Sequence, residues 1–265
     1  VVLWHVTLEF ICEKERKSVG FLGCGLIGGS MAAWLLERPE YSVSFVQDPF
    51  YKSENPPFPV VADLDPELLR VTDLVVEAAT SALFKENATS ILQHCDRMAL
   101  SVTAFADQEC ADYAERLCKD SGARIFFPHG AILGVDGIFD GRDLWEKVSI
   151  ETVKSPQSLG RSDTERTLVY EGTTREICKE YPRNVNVHAS VALAGIGFDK
   201  TVSRIISDPA VTTNAHYIRV EGEGTVFGIS VSSVANGGIT GRYTPFSACG
   251  SLERVLDRKS PFVFV

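Results

Sequence analysis

The sequence predicts an α/β fold in which a doubly wound parallel sheet is followed by a second α/β domain with a mixed or antiparallel sheet. Three observations lead to this prediction. A glycine-rich turn joins an apolar run to a helical segment within residues 18–37, apolar runs then alternate with helical segments as far as residue 128, and apolar and polar residues alternate from Lys147 onwards. The first two patterns are typical of βαβ units, and the third is typical of strands with one buried face.

The turn in the first unit reads G-C-G-L-I-G, from Gly23 to Gly28, between the apolar run 19–22 and the helical segment 31–37. Such a turn alone also occurs in an ordinary strand-turn-helix. In a Rossmann dinucleotide-binding unit, the first glycine makes the tight turn, the second lets the backbone approach the pyrophosphate, and the third lets helix and strand pack closely. The predicted cofactor contacts at this helix N-terminus are Gly23, Gly25, Leu26, Ile27 and Gly28.

The acidic residue Asp48 strengthens the dinucleotide interpretation. It follows the apolar run 43–47 and lies twenty residues after Gly28, where a carboxylate can accept hydrogen bonds from both ribose hydroxyls. The same carboxylate would repel a 2′-phosphate, so NAD is favoured and NADP remains possible. After the next buried strand, 73–77, the small residue Ala79 leaves room for the ribose on the nicotinamide side.

The remaining elements follow from capping residues and periodicity. Asp65 and Pro66 begin a short helix, and Gly122 ends a helix that Asp107 begins. A glycine-rich crossing at 128–137 separates the two domains. Other predicted helices are 83–94, 184–195 and 244–256; other predicted strands are 98–102, 124–127, 147–152, 168–170, 202–207, 217–221 and 226–232.

We divide the chain into an extension of unknown role (1–16), a dinucleotide-binding domain (17–128), a substrate and dimerisation domain (129–240) and a closing helix and tail (241–265) that return to the first domain.

Composition narrows the class of partner and the compartment. The net charge of −9 argues against nucleic acid and anionic membranes. Seven cysteines occur without a C-x-x-C pair, which is typical of reduced thiols in a cytoplasmic protein and gives no metal site. No apolar run approaches the roughly twenty residues needed to cross a bilayer, and residues 1–12 make a poor signal peptide.

Six dispersed segments, in order, resemble the L-aspartate dehydrogenase family between about residues 19 and 256. They are S-V-T-A-F-A-D (101–107), F-F-P-H-G-A-I-L-G-V-D (126–136), I-E-T-V-K-S-P-Q-S-L-G (150–160), Y-E-G (170–172), Y-P-R-N-V-N-V (181–187) and I-S-D-P-A-V-T-T-N-A-H-Y-I (206–218).

The resemblance implies NAD(P)-dependent oxidative deamination of L-aspartate to oxaloacetate and ammonia through iminoaspartate, in a homodimer. It places the catalytic acid/base on His216 and cofactor contacts on Ala131 and Asn186. An imidazole with a near-neutral pKa suits proton transfer to and from water and the leaving amine. From the residues alone, His216 could instead be a core histidine and Asn186 a helix cap. The candidates for binding the two substrate carboxylates are Arg183, Lys200, Arg242 and Thr244.

Three departures from the family pattern leave the substrate open. Residues 238–245 read G-I-T-G-R-Y-T-P in place of the usual N-P-K-T-S region, which looks similar to animal members of the family. His129 stands where a small hydroxyl residue is usual, and His188 stands where alanine is usual; both are expected near the cleft. A reductase of a related imine or oxo acid, and a catalytically silent dinucleotide-binding sensor, are therefore the alternative functions.

Overall fold

Two five-stranded sheets organise the protein in the computed structural model, which describes residues 16–234 and 241–256. Most of the predicted extension 1–16, part of the altered segment 238–245 and the tail after residue 256 lie outside the described residues. The predicted α/β fold, with a parallel sheet followed by a domain containing a mixed sheet, is confirmed.

The first sheet is parallel and has the strand order β2-β1-β3-β4-β5. Its strands are β1 (Lys17–Leu22), β2 (Tyr41–Gln47), β3 (Leu74–Glu77), β4 (Asp96–Ala99) and β5 (Ile125–Phe126). The strand order reverses between β1 and β3. In doubly wound sheets, ligands bind outside the carboxyl ends of the strands at such a switch point.

Helices cover both faces of this sheet. They are α1 (Leu26–Leu36), α2 (Pro66–Arg70), α3 (Ser81–Leu92), α4 (Gln108–Ser121) and, from the end of the chain, α8 (Thr244–Leu256). Ala248 and Leu252 of α8 pack with Met31 and Leu35 of α1 in one buried cluster. The last helix therefore completes the core of the first sheet.

The strand predicted at residues 98–102 ends earlier than expected. Residues 98–102 were expected to be extended, but β4 ends at Ala99 and a 3₁₀ helix spans Val102–Ala106. The cause lies at Ser101, whose backbone N–H and hydroxyl both donate to the carboxylate of Glu77, at 3.0 and 2.9 Å. These bonds replace strand pairing and turn the chain away from the sheet.

The second sheet is mixed and has the order β10-β9-β6-β8-β7. Its strands are β6 (Lys147–Lys154), β7 (Thr167–Thr173), β8 (Val202–Ser207), β9 (Thr213–Gly222) and β10 (Thr225–Val234). Only the β6–β8 pair is parallel among these neighbours. The alternation that predicted these strands is visible on β6, where Val148, Ile150 and Thr152 are buried.

Among the residues that the structure describes, three α-helices belong to this half of the molecule: α5 (Val135–Asp140), α6 (Thr174–Glu180) and α7 (Asn186–Ala194). The predicted helix 184–195 is α7, whereas α5 and α6 are short and escaped prediction. Val185 and Ala189 share a buried cluster with Phe84 and Phe105, which belong to the first half. This shared hydrocarbon core joins the two sheets. No helix in the described ranges is long and apolar enough to cross a membrane.

Candidate active site

The glycine turn follows β1 as predicted, and two of its glycines are required by the packing of the protein itself. Gly23 has φ +89°, and a Cβ atom there would lie 2.8 Å from the carbonyl oxygen of Ala78. A Cβ on Gly28 would collide with the carbonyl oxygen of Gly23. Gly25, immediately before α1, is different: a Cβ there would meet no atom within 4 Å. This open backbone at a helix N-terminus fits the approach of a pyrophosphate.

Asp48 lies directly after β2 and contacts the glycine turn. Its Oδ2 accepts a hydrogen bond from the Cys24 N–H at 2.7 Å, and its Oδ1 accepts one from the Phe50 N–H at 2.8 Å. Each carboxylate oxygen keeps further acceptor capacity for ribose hydroxyls. Burial, and then the Asp48 charge, raise the pKa of the Cys24 thiol, so this thiol remains protonated and is a poor nucleophile.

A cavity of about 170 Å³ lies between the two sheets. It brings together residues that the sequence places in both halves of the protein. Those of the predicted site that line it are Ile27, Ala79, Ala131, Asn186 and His216. Leu26 is 46% exposed at the start of α1 and does not line the cavity. The glycines and Asp48 lie outside its lining, at the carboxyl ends of β1 and β2.

His216 lies on β9, directly opposite Thr152 on β6. Its Nδ1 is 2.8 Å from Thr152 Oγ1, and only 5% of the residue is exposed. Burial, and then the charge of Lys154, lower the pKa of His216 to about 3. The near-neutral pKa expected from the residue type is therefore wrong for His216 in its buried position. The imidazole is neutral at pH 7, the form in which it can accept a proton.

Lys154 is a cavity residue that the sequence reasoning missed. It ends β6, is 3% exposed, and its Nζ lies 3.5 Å from Asn184 Oδ1. Burial lowers its pKa to about 8. The signal was present in the sequence, because Lys154 continues the buried alternation of Ile150 and Thr152. A lysine on the apolar side of a strand is unusual unless it has a partner.

The four predicted carboxylate-binding candidates divide into two pairs. Arg183 and Thr244 line the cavity together with Lys154. Lys200 and Arg242 are exposed and are not part of its lining. Arg183 and Thr244 therefore remain candidates for binding the substrate carboxylates. Lys200 and Arg242 lie outside the cavity and are no longer candidates.

Asn186 and Ala131 enter the cavity from different segments. Asn186 is the first residue of α7, and its Oδ1 accepts a hydrogen bond from the Thr103 N–H at 3.2 Å. It does not cap its own helix, since the residue before the helix is Val185 and that end has no side-chain cap. Ala131 follows Gly130, whose φ of +63° turns the loop after β5. Asn186 reaches the cavity from the start of a helix and Ala131 from a loop, and the sequence pattern specifies neither placement.

Glu77, at the end of β3, is a second residue that sequence reasoning missed. Its side chain is fully buried and accepts hydrogen bonds from the Ala79 N–H, the Ser101 N–H and the Ser101 hydroxyl at 2.9, 3.0 and 2.9 Å. Burial raises its pKa, against the opposing effect of these bonds. Glu77 fixes the two loops that carry Ala79 and Ser101 into the cavity wall.

The two histidines that depart from the family pattern occupy different positions. His129 lines the cavity, and its Nε2 lies 3.7 Å from Asp136 Oδ2. His188 was also expected near the cleft, but it is fully buried and outside the cavity lining. Its Nε2 is 2.7 Å from Thr152 Oγ1, so it lies behind the residue that contacts His216. It therefore cannot touch substrate from this position.

These features define the class of protein. A doubly wound sheet with a glycine turn and Asp48, joined to a mixed sheet that brings His216 to a common cavity, is the arrangement of a two-domain oxidoreductase that uses a nicotinamide dinucleotide. Sequence comparison agrees: residues 23–128 match the family described as "Homoserine dehydrogenase, NAD binding domain", and residues 140–255 match "Aspartate dehydrogenase, C-terminal".

Whole-chain relatives identify the family. The chain is 32% identical to the L-aspartate dehydrogenases of Methanococcoides burtonii and Nitrosopumilus maritimus, in alignments that cover 90% of this chain and 97% and 96% of theirs. The crystal structure of aspartate dehydrogenase from Thermotoga maritima superposes with a TM-score of 0.78 at 28% identity, covering 94% of this chain and 99% of that one. The protein belongs to the L-aspartate dehydrogenase family.

The origin of these relatives corrects one expectation. The altered segment 238–245 predicted a closer likeness to animal members of the family, but the relatives described above are archaeal and bacterial. They do not support that likeness. The segment itself is only partly within the described residues, from Gly241 onwards.

Proposed function

We propose that this protein oxidatively deaminates L-aspartate to oxaloacetate and ammonia through iminoaspartate, with a nicotinamide dinucleotide as hydride acceptor. The observation that carries the proposal is the common cavity, in which His216 and Lys154 from the second sheet meet Ile27 and Ala79 from the first. The reaction is that of the family to which the chain belongs. The cavity contains a base, His216, and a cation, Lys154, and one of its walls lies next to the glycine turn.

The cofactor is assigned to the carboxyl ends of β1, β2 and β3. The turn residues bind the pyrophosphate at the start of α1, and Asp48 binds the adenosine ribose and favours NAD over NADP. When bound, the dinucleotide supplies the nicotinamide ring that accepts hydride from Cα of the substrate. The turn residues are Gly23, Gly25, Leu26, Ile27 and Gly28; the residues assigned to the nicotinamide end are Ala79, Ala131 and Asn186.

The substrate carries two carboxylates, and the cavity offers two cations and a hydroxyl to bind them. Lys154 is mostly protonated at pH 7 with its pKa of about 8, and it shares the cavity with Arg183 and Thr244. Charged hydrogen bonds of this type are strong when water is excluded. Lys154 is the principal anchor in this assignment because it is the most deeply buried of these cations.

His216 is assigned as the general acid/base. Its neutral imidazole takes a proton from the water that attacks the iminium carbon and later returns a proton to the leaving amine. With its pKa of about 3, the buried imidazole beside Lys154 is by itself a weak base. Two substrate carboxylates nearby offset the charge of Lys154 and raise that pKa towards neutrality.

Turnover measurements separate this function from its alternatives. The full-length protein is mixed with NAD and L-aspartate, and the absorbance of reduced dinucleotide is followed. Steady turnover supports the proposal. Turnover only with another amino acid, or only reduction of an imine or oxo acid, supports a related reductase. Dinucleotide binding without turnover of any of these compounds identifies a silent sensor and contradicts the proposal.

The assembly and compartment are part of the same proposal. A homodimer is supported by the outer face of the second sheet, which exposes Leu168, Tyr217 and Val226 to 54, 48 and 54%. Light scattering of the purified protein tests the dimeric state.

The domain roles proposed for 17–128 and 129–240 are those of cofactor binding and of substrate binding and dimerisation. A cytoplasmic location is supported by the free state of all six cysteines in the described ranges.

A further inference from the structure

A continuous hydrogen-bond chain runs from His216 away from the cavity and into the core of the second domain. Five bonds make up this chain, and none of its side chains is more than 5% exposed. In order, the bonds join His216 Nδ1 to Thr152 Oγ1 (2.8 Å), Thr152 Oγ1 to His188 Nε2 (2.7 Å), His188 Nδ1 to Ser203 Oγ (3.0 Å), Ser203 Oγ to Thr174 Oγ1 (2.8 Å) and Thr174 Oγ1 to the Thr201 carbonyl oxygen (3.1 Å).

The bond at the far end of the hydrogen-bond chain determines which group donates in each of the other bonds. A carbonyl oxygen can only accept, so the hydroxyl of Thr174 donates its single hydrogen to the Thr201 carbonyl. The same carbonyl also accepts the Thr174 N–H at 3.0 Å, which its two lone pairs allow. The Thr174 hydroxyl has no hydrogen left for Ser203. The hydroxyl of Ser203 must therefore donate to Thr174 Oγ1.

The donor role of Ser203 in turn determines which ring nitrogen of His188 carries the hydrogen. Because the Ser203 hydrogen is already used, the hydrogen between Ser203 and His188 belongs to His188 Nδ1. The ring of His188 is neutral, since it is fully buried and the nearby ionisable groups that act on it, His216 and Lys154, are cationic when protonated. A neutral imidazole carries one N–H, so His188 Nε2 is an acceptor.

Thr152 transmits this constraint to His216. Its hydroxyl donates to His188 Nε2 and so can only accept from the other imidazole. We propose that this chain holds His216 in the Nδ1–H tautomer, which leaves Nε2 with the free lone pair as the atom that accepts a proton in the cavity. The inference rests on the proposed function for the role of that proton, and it assigns Thr152, His188, Ser203 and Thr174 as positioning residues.

The opposite direction has a clear cost. It would place Thr174 Oγ1 and the Thr201 oxygen 3.1 Å apart with no hydrogen between them, so one buried hydrogen bond would be lost. It would also give His216 an Nε2–H, which can donate but cannot take a proton from water. The orienting partner of a base commonly fixes its tautomer in this way.

The tautomer can be measured directly in the full-length protein without substrate. Nitrogen NMR of ¹⁵N-histidine-labelled protein at pH 7.5 distinguishes N–H from unprotonated ring nitrogens, and a His216→Gln sample assigns the resonance. His94 is an internal reference, since its Nδ1 lies 2.8 Å from the Ser90 carbonyl oxygen and must carry hydrogen. We expect hydrogen on His216 Nδ1. Hydrogen on Nε2 overturns the proposal.

Two variants of Thr152 test the link between tautomer and rate. Thr152→Val keeps the shape of the side chain and removes the hydroxyl, and we expect kcat to fall about 10²-fold, the lower range for a misplaced general base. Thr152→Ser restores the hydroxyl and should return kcat to within about threefold of wild type, with KM for NAD unchanged in both. Equal rates in the Val and Ser variants contradict the proposal.

A distant pair tests transmission along the chain. Ser203→Ala removes a hydroxyl that belongs to the hydrogen-bond chain but does not touch His216. Ser207→Ala removes the hydroxyl of another fully buried serine on β8, which is not part of the hydrogen-bond chain. We expect mixed His216 tautomers and about a tenfold lower kcat only in Ser203→Ala. Identical spectra and rates in the two variants overturn the proposal.

The two proposals can fail separately. An Nδ1–H tautomer without aspartate turnover would support the hydrogen-bond chain and refute the proposed function. Aspartate turnover with an Nε2–H tautomer would support the proposed function and refute the role of the hydrogen-bond chain.

Discussion

The backbone N–H of Cys24 donates a hydrogen bond of 2.7 Å to Oδ2 of Asp48. This bond joins the glycine turn after β1 to the end of β2, so the residue that is expected to bind the ribose also holds the turn that is expected to bind the pyrophosphate. We therefore expect the choice of dinucleotide and the shape of its binding turn to depend on the same carboxylate.

Replacing Asp48 with alanine should narrow the preference for NAD over NADP. The variant loses a hydrogen-bond acceptor for the ribose and the charge that repels a 2′-phosphate, so the ratio of kcat/KM for the two cofactors should fall about tenfold. Asp63→Ala, which changes the net charge equally at an exposed loop, is the control. An unchanged ratio in Asp48→Ala would assign cofactor choice to another residue.

Two glycines of the turn should respond differently to alanine. Gly25→Ala adds a methyl group to open space, so it should leave the melting temperature nearly unchanged while weakening dinucleotide binding. Gly28→Ala forces a methyl group against the Gly23 carbonyl and should lower the melting temperature by at least about 3 °C. Thermal melts and calorimetric titration with NAD check this contrast. Similar behaviour of the two variants would rule out a ligand role specific to Gly25.

Removing the imidazole of His216 should abolish turnover and leave cofactor binding intact. We expect His216→Ala to lower kcat by at least about 10²-fold, because a general acid/base is lost, with the Kd for NAD within about twofold of wild type. His94→Ala, in the turn that follows α3 and outside the cavity lining, is the matched control. A wild-type rate in His216→Ala would end its acid/base assignment.

Removing the charge of Lys154 should impair aspartate binding selectively. Lys154→Met retains the apolar stem, so we expect the KM for aspartate to rise about 10- to 100-fold, corresponding to the loss of a hydrogen bond between charged groups. The KM for NAD should not move. Lys200→Met, an exposed lysine outside the cavity, should have no effect on either value. Steady-state kinetics at pH 7 would show an unchanged aspartate KM if the assignment is wrong.

Acid should destabilise the protein through its buried histidines. The unfolded chain binds protons at His216 below the ordinary histidine pKa of 6.5, whereas the folded protein resists protonation down to about 3. The free energy of unfolding therefore decreases as the pH falls from 6.5 towards about 3. At pH 5 the effect is about 2 kcal/mol for one such histidine, and His188 is shifted in the same direction.

Urea unfolding at pH 7.5 and pH 5.0 measures this loss. His216→Gln should lose about 2 kcal/mol less than wild type between the two pH values. An identical loss in both proteins would mean that His216 is already protonated in the folded state at pH 5.

The first domain was largely predictable because its signals are local. Strand β8 at 202–207 and helix α8 at 244–256 also match their predicted bounds. The early end of β4 was not predictable, because it depends on a carboxylate at Glu77 that is distant in sequence and reorganises the Ser101 backbone.

The candidate site was predictable only in part. Its glycines and Asp48 have a fixed spacing, and His216 was found by resemblance. Lys154 carries no motif, and its importance arises from the strand register that buries it. The contact between Thr152 and His216 likewise depends on β6 pairing with β9, a long-range relationship that periodicity does not determine.

The apolar cluster shared by Val185, Ala189, Phe84 and Phe105 limits how the two halves can move. Swinging the sheets apart would bring these side chains into water, at about 25 cal/mol for each Å² of hydrocarbon exposed. The wall that carries His216 and the wall that carries Ile27 and Ala79 are therefore held together by hydrocarbon contact, and we expect the cleft to keep this shape when substrate and cofactor bind.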